Sequence, residues 1–153
     1  MKPFYLLVFA VFFISCSGES VFSKTDKGFV ENRWAKSDIK TYEFEIDQAA
    51  TPYEMQLFFS HVYGYQFAQV PVIAEVTYPD GQMSSIAFDL ALKDASGAEL
   101  GDCAGDVCDL VQNIALPKPL EPGKYKVRIM HNFNGEYLPN VLAVGLRVEQ
   151  LQD

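Results

Sequence analysis

The sequence is poor in the groups that acid–base and nucleophilic chemistry use. It has two histidines, His61 and His131, one tryptophan, Trp34, and three cysteines, Cys16, Cys103 and Cys108, in 153 residues. Hydrolysis by a serine or cysteine needs a base within reach and a third group to orient that base. No G-x-S-x-G elbow, H-E-x-x-H helix motif or C-x-x-C pair of zinc spacing is present. Positive charge is scarce too: 12 Lys and Arg against 20 Asp and Glu give a formal net charge of −8, with no basic stripe to neutralise phosphates. That argues against nucleic acid as a partner, and against electrostatic docking on anionic lipid. There is no internal repeat, no low-complexity tract and, after the first residues, no sustained 3.6-residue apolar stripe. We therefore expect no enzyme: no catalytic residue, no cofactor and no metal.

What is present begins with an ordered N-terminal pattern. Lys2 precedes an almost unbroken apolar run from Phe4 to Ile14, and Ser15, Cys16, Ser17 and Gly18 follow. This is the order of a secretory signal peptide. The run of about 11 residues falls short of the roughly 20 that a helix needs to cross a bilayer. A small residue and then a cysteine where the run stops resembles the lipobox of bacterial lipoproteins, with Phe13 where leucine is commoner. The resemblance implies cleavage before Cys16 and lipidation of Cys16, where several acyl chains together make a stable anchor. The expected organisation is residues 1–15 as signal peptide, 16–28 as a small, polar, lipidated tether and 29–153 as one domain. Removing residues 1–15 from 153 leaves 138, and losing Lys2 takes the charge from −8 to −9. That length suffices for one hydrophobic core.

Within the domain the dominant period is two. Tyr42, Phe44 and Ile46 alternate with Glu43, Glu45 and Asp47; Tyr53, Met55, Leu57 and Phe59 continue the pattern. Val70 to Tyr78, a Pro79-Asp80-Gly81 turn and Ile86 to Leu92 read as a hairpin. Tyr125, Val127 and Ile129, then the 132–140 loop, then Leu142, Val144, Leu146 and Val148 predict a second hairpin at the C-terminus. Val107 to Leu116 is compatible with a strand or a short helical turn. Seven or eight short strands, each with one apolar face and separated by Pro, Gly and Asn breakers, predict an all-β fold: an antiparallel β-sandwich of jelly-roll type.

Export would place Cys103 and Cys108 in an oxidising compartment, where a disulfide is the first expectation; two free thiols, or redox or metal chemistry, are the alternatives. Asp102, Asp106 and Asp109 surround that pair without the order of an EF-hand and read as a solvated acidic loop, with calcium binding as the alternative. His61 and His131 share the register of apolar strand faces and read as structural. Tyr63, Tyr65 and Phe67 form an aromatic stretch with two readings, core or an exposed interaction loop, and exposed rings could stack on carbohydrate.

Four stretches of the domain resemble the GldH gliding-motility lipoprotein family of the Bacteroidetes. They are Trp34 with Tyr42-Glu43-Phe44-Glu45-Ile46, the Tyr63-Gly64-Tyr65 segment, Leu90 to Gly97 with Gly101 and Gly105-Asp106, and Gly123-Lys124-Tyr125 with Val144 to Glu149. Ser60-His61 and Gly64 stand where the family tends to have Arg-Asn and proline, and the cysteine pair lies outside the resemblance. The resemblance implies an accessory component of the gliding apparatus, linked to type IX secretion. It would be held by lipid at the cell membrane or outer membrane, facing the periplasm or the cell surface, and its partners would be other envelope proteins. A carbohydrate-binding lipoprotein is the alternative.

Overall fold

The computed structural model describes residues 20–48 and 52–151. Cys16 and the expected signal peptide lie outside the described residues. Among the described residues eleven strands follow one another: β1 (Ser20–Lys27), β2 (Trp34–Ala35), β3 (Lys40–Ile46), β4 (Tyr53–Val62), β5 (Gln69–Thr77), β6 (Met83–Ala91), β7 (Asp102–Ala104), β8 (Val107–Asn113), β9 (Gly123–His131), β10 (Tyr137–Leu138) and β11 (Val141–Gln150). One sheet has the order β1-β11-β4-β8-β7 and the other β3-β9-β5-β6, while β2 and β10 form a two-stranded ribbon. Every pairing is antiparallel. The fold is an all-β antiparallel sandwich, with nine strands in its two layers rather than the seven or eight the breakers suggested.

Alternation explains the core. Met55, Leu57 and Phe59 of β4 and Val144, Leu146 and Val148 of β11 face Tyr42, Phe44 and Ile46 of β3, Val70, Val72, Ala74 and Val76 of β5 and Val127 and Ile129 of β9. Each fully buried Val, Leu, Ile or Phe stabilises the fold by roughly 1.5–3 kcal/mol. The two layers are also tied by a polar link: the Tyr42 hydroxyl donates to the Val144 carbonyl at 3.2 Å. Burial pushes the Tyr42 phenol well above its ordinary value, with Asp26 adding to the effect, so it stays a donor.

Three expectations are corrected. The stretch expected as tether, 16–28, contains β1, which pairs with β11 from Ser20 to Lys27. It is an edge strand held by backbone bonds and by one ring, Phe22, stacked 5.2 Å from Phe44, so it carries no alternating signature. The expected C-terminal hairpin does not form: β9 pairs with β3 and β5, whereas β11 pairs with β1 and β4 in the other layer. Period-two alternation says which face is apolar and nothing about the neighbour, and the 132–140 loop is long enough to cross the roughly 10 Å between packed sheets. Finally, a register shift between Val141 and Ala143 leaves Leu142 half-buried, out of line with Val144. The ambiguous Val107 to Leu116 segment is strand β8 as far as Asn113. The β5–β6 hairpin forms as expected, with Thr77 opposite Met83.

Candidate functional site

β1 ends, β4 ends and β11 begins at the same edge of the sandwich, since Lys27 pairs with Ala143 and His61 with Val141. This end lies opposite Ser20. It gathers the loop after β4, the β7–β8 turn and the segments flanking the β2–β10 ribbon.

The loop after β4 is held by its backbone. The Val62 amide donates to Asn140 O at 3.1 Å and the Tyr63 amide to Asp106 O at 2.9 Å. Gly64 adopts φ +70°, a left-handed value that favours glycine, and its amide donates to Glu99 Oε1 at 3.2 Å. That turn separates the aromatic stretch. Tyr63 is 59% exposed, whereas Tyr65 is 1% exposed and joins the core. Phe67 is half-buried, 4.9 Å from the Phe133 ring. The interaction-loop reading therefore narrows to Tyr63. Tyr65 cannot offer a stacking platform because its ring is buried, and Phe67 is partly covered by the Phe133 ring.

Both histidines are buried. His61 Nδ1 lies 2.9 Å from Val62 O. A carbonyl can only accept, so Nδ1 carries a proton. The ring's Nε2 has no partner, and neither do the Tyr65 hydroxyl and Glu99 Oε2, all three buried. The rings of His61 and Tyr65 sit 5.0 Å apart, and burial pushes the Tyr65 phenol well up from its ordinary value. Cys103 and Cys108 face one another across β7 and β8 and are disulfide-bonded. Glu99, which the sequence reading passed over, reaches this place because its loop packs close: a Cβ on Gly101 would lie 2.8 Å from Asp109 O. His61, Glu99 and Cys108 present ligand atoms within 4.8 Å of one another. No sequence spacing signals this trio, which comes from three elements.

The acidic residues do not form a comparable group. Asp102 and Asp109 are cross-strand partners and Asp106 sits in the turn beside Gly105. All three are exposed. A separate open groove of about 820 Å³ is lined by Val30, Arg33, Lys36, Asn134 and Tyr137 among others. Arg33 lies 4.7 Å over the Tyr137 ring.

The profile of the GldH lipoproteins matches residues 21–148, most of the chain. The chain belongs to the GldH lipoprotein family. A gliding motility lipoprotein GldH homolog from Christiangramia forsetii is 23% identical over 158 residues, 95% of this chain and 94% of its own length. Among solved structures, the CBM22-1 xylan-binding domain of Paenibacillus barcinonensis Xyn10C is 7% identical, with a TM-score of 0.38 over 90% of this chain and 97% of that domain. Dimeric latent PorU from Porphyromonas gingivalis is 12% identical, with a TM-score of 0.33 over 89% of this chain, which spans 14% of the PorU chain. As a GldH lipoprotein, the protein is a gliding-motility-associated lipoprotein of the cell envelope. No helix among the described residues is long and apolar enough to cross a membrane. The GldH match begins at residue 21, so the family includes the edge strand β1 that composition made look like a linker.

Proposed function

We propose that this GldH lipoprotein is a non-enzymatic accessory component of the gliding apparatus, linked to type IX secretion. Lipid on Cys16 holds it at the cell membrane or outer membrane, and the sandwich end carrying Tyr63 contacts a partner envelope protein. The supporting observation is the direction of β1. Ser20 follows Cys16 by four residues, so the start of β1 stays within roughly 14 Å of the anchor. From there β1 runs away for eight residues, about 26 Å at strand rise.

The far end is therefore presented to other proteins, and it is apolar in places. Val30 is 81% exposed, Tyr63 59% and Tyr137 38%. Exposed aromatic and apolar groups with an arginine among them suit a protein interface. The family membership supports the gliding role.

The experiment is photocrosslinking in gliding cells, with the crosslinker placed at Tyr63 or Tyr137, and at Tyr53 as the anchor-side control. Specific envelope-protein adducts from the first two positions support the reading, with Cys16→Ala releasing the protein from membranes and abolishing spreading. Adducts from Tyr53 alone would refute the orientation. A Cys16→Ala strain that spreads normally would refute the anchor.

A further inference from the structure

We propose that His61, Glu99 and the Cys103–Cys108 pair form a zinc site that opens when the disulfide is reduced. The starting point is an excess of acceptors in a closed place. His61 is fully buried, its Nδ1 proton is committed to Val62 O, and its Nε2 has no partner. Glu99, with its side chain 11% exposed, accepts the Gly64 amide on Oε1 at 3.2 Å, and the Lys93 ammonium makes a looser ion pair with the same oxygen at 3.7 Å. Its Oε2 is left with no partner. With one proton on the ring, held at Nδ1, the Nε2 lone pair and the carboxylate oxygen both need a proton or a cation between them. Burying both unpaired is costly, and a cation between them resolves both.

The third donor is Cys108 Sγ, within the same 4.8 Å; Cys103 Sγ, bonded to it, stands outside that trio and becomes a fourth donor only by turning in once the disulfide is broken. Nitrogen, oxygen and two sulfurs are the donor types of a tetrahedral structural zinc site. Tetrahedral donors at zinc bond lengths stand roughly 3.5 Å apart, so for His61, Glu99 and Cys108 closure asks for inward shifts of about an ångström. His61 also carries the outer contact that zinc-binding histidines use, the second ring N–H on a backbone carbonyl. Phe59 and Tyr65, both buried against the His61 ring, keep water away from one side.

While the disulfide stands, its sulfurs are poor ligands. A dithiol reductant breaks the S–S bond, supplying two electrons and two protons and leaving as its own disulfide. Zinc then binds as the two thiols release their protons to solvent. The hairpin thus has two closed forms, one sealed by a disulfide and one by zinc. The turn alone is too short for the disulfide to hold the fold together, so the dithiol form stays folded.

The test uses the mature full-length chain with zinc, and with cobalt(II) as a spectroscopic probe, before and after reduction by a phosphine. The expected result is one metal per reduced chain, with tetrahedral cobalt bands and a thiolate charge-transfer band. Affinity should be at least about tenfold weaker in Glu99→Gln and unchanged in Asp102→Asn. His61→Ala should weaken binding as strongly; Glu99→Gln, at a partly exposed position, decides the matter if His61→Ala does not fold. Absence of stoichiometric binding by the reduced chain overturns the proposal. So does equal affinity with the disulfide intact, or binding lost in Asp102→Asn but kept in Glu99→Gln, which would mark an adventitious surface ion.

Discussion

His131 donates from Nε2 to the Trp34 carbonyl at 3.0 Å, and the two rings meet edge to face with centroids 5.0 Å apart. The contact joins the last residue of β9 to the small β2–β10 ribbon that closes one end of the sandwich. The Trp34 indole N–H in turn donates to Asp38 O at 2.7 Å, so both buried heteroaromatic rings help hold the ribbon in place.

That contact makes stability depend on pH. Burial pushes the His131 imidazole below its ordinary 6.5, with the Lys36 charge acting the same way and the bond to Trp34 opposing. The folded chain therefore refuses a proton that the unfolded chain accepts. Stability from this group is complete above pH 6.5 and declines as pH falls from 6.5 toward the lowered folded value. Thermal unfolding should show Tm falling over that window in the wild type, and a flatter profile in His131→Gln.

Removing the disulfide should cost little. Cys103 and Cys108 are separated by five positions, and closing so short a loop contributes roughly 2 kcal/mol in the chain-entropy model. Cys103→Ser/Cys108→Ser should lower Tm by several degrees while far-UV circular dichroism keeps its β spectrum. Loss of the fold would mean that the hairpin nucleates the sheet.

Gly123 is more demanding. It has φ +132°, and a Cβ there would stand 2.6 Å from the Pro79 side chain. Gly123→Ala adds a clash to backbone strain, and a cost of about 2 kcal/mol is expected in denaturant unfolding.

The two tyrosines of one loop should separate in effect. Tyr65→Ala deletes a buried ring and should cost about 3–5 kcal/mol. Tyr63→Ala should stay within about 0.5 kcal/mol of wild type and still impair spreading if Tyr63 meets the partner. Equal destabilisation by both would contradict the burial difference.

The edge strand offers the last comparison. Phe22→Ala removes the ring that anchors β1 on Phe44 and Tyr42, so hydrogen exchange at residues 20–27 should accelerate selectively. Leu57→Ala, in the centre of the core, should accelerate exchange throughout and cost about 2–5 kcal/mol.

Much of the sandwich was legible because a half-buried strand repeats its pattern every second residue. Tyr42-Phe44-Ile46, Val70 to Val76 and Tyr125-Val127-Ile129 each announce a buried face by themselves, and Pro79-Asp80-Gly81 announces the hairpin between β5 and β6. His61 and His131 are buried on the apolar faces whose register they share. The Tyr63, Tyr65 and Phe67 stretch was not separable, because only the left-handed turn at Gly64 turns one ring out and the next one in.

The sequence by itself determined the β class, the apolar faces and the family to which the chain belongs, because alternation and spaced glycines are local properties. Only the tertiary structure decided that β1 is a strand, that β9 and β11 lie in different layers, and that Glu99 meets His61 beside the cysteines. Those outcomes depend on which backbone edge is free to pair and which loops pack together. Distances between residues dozens of positions apart leave no period in the chain.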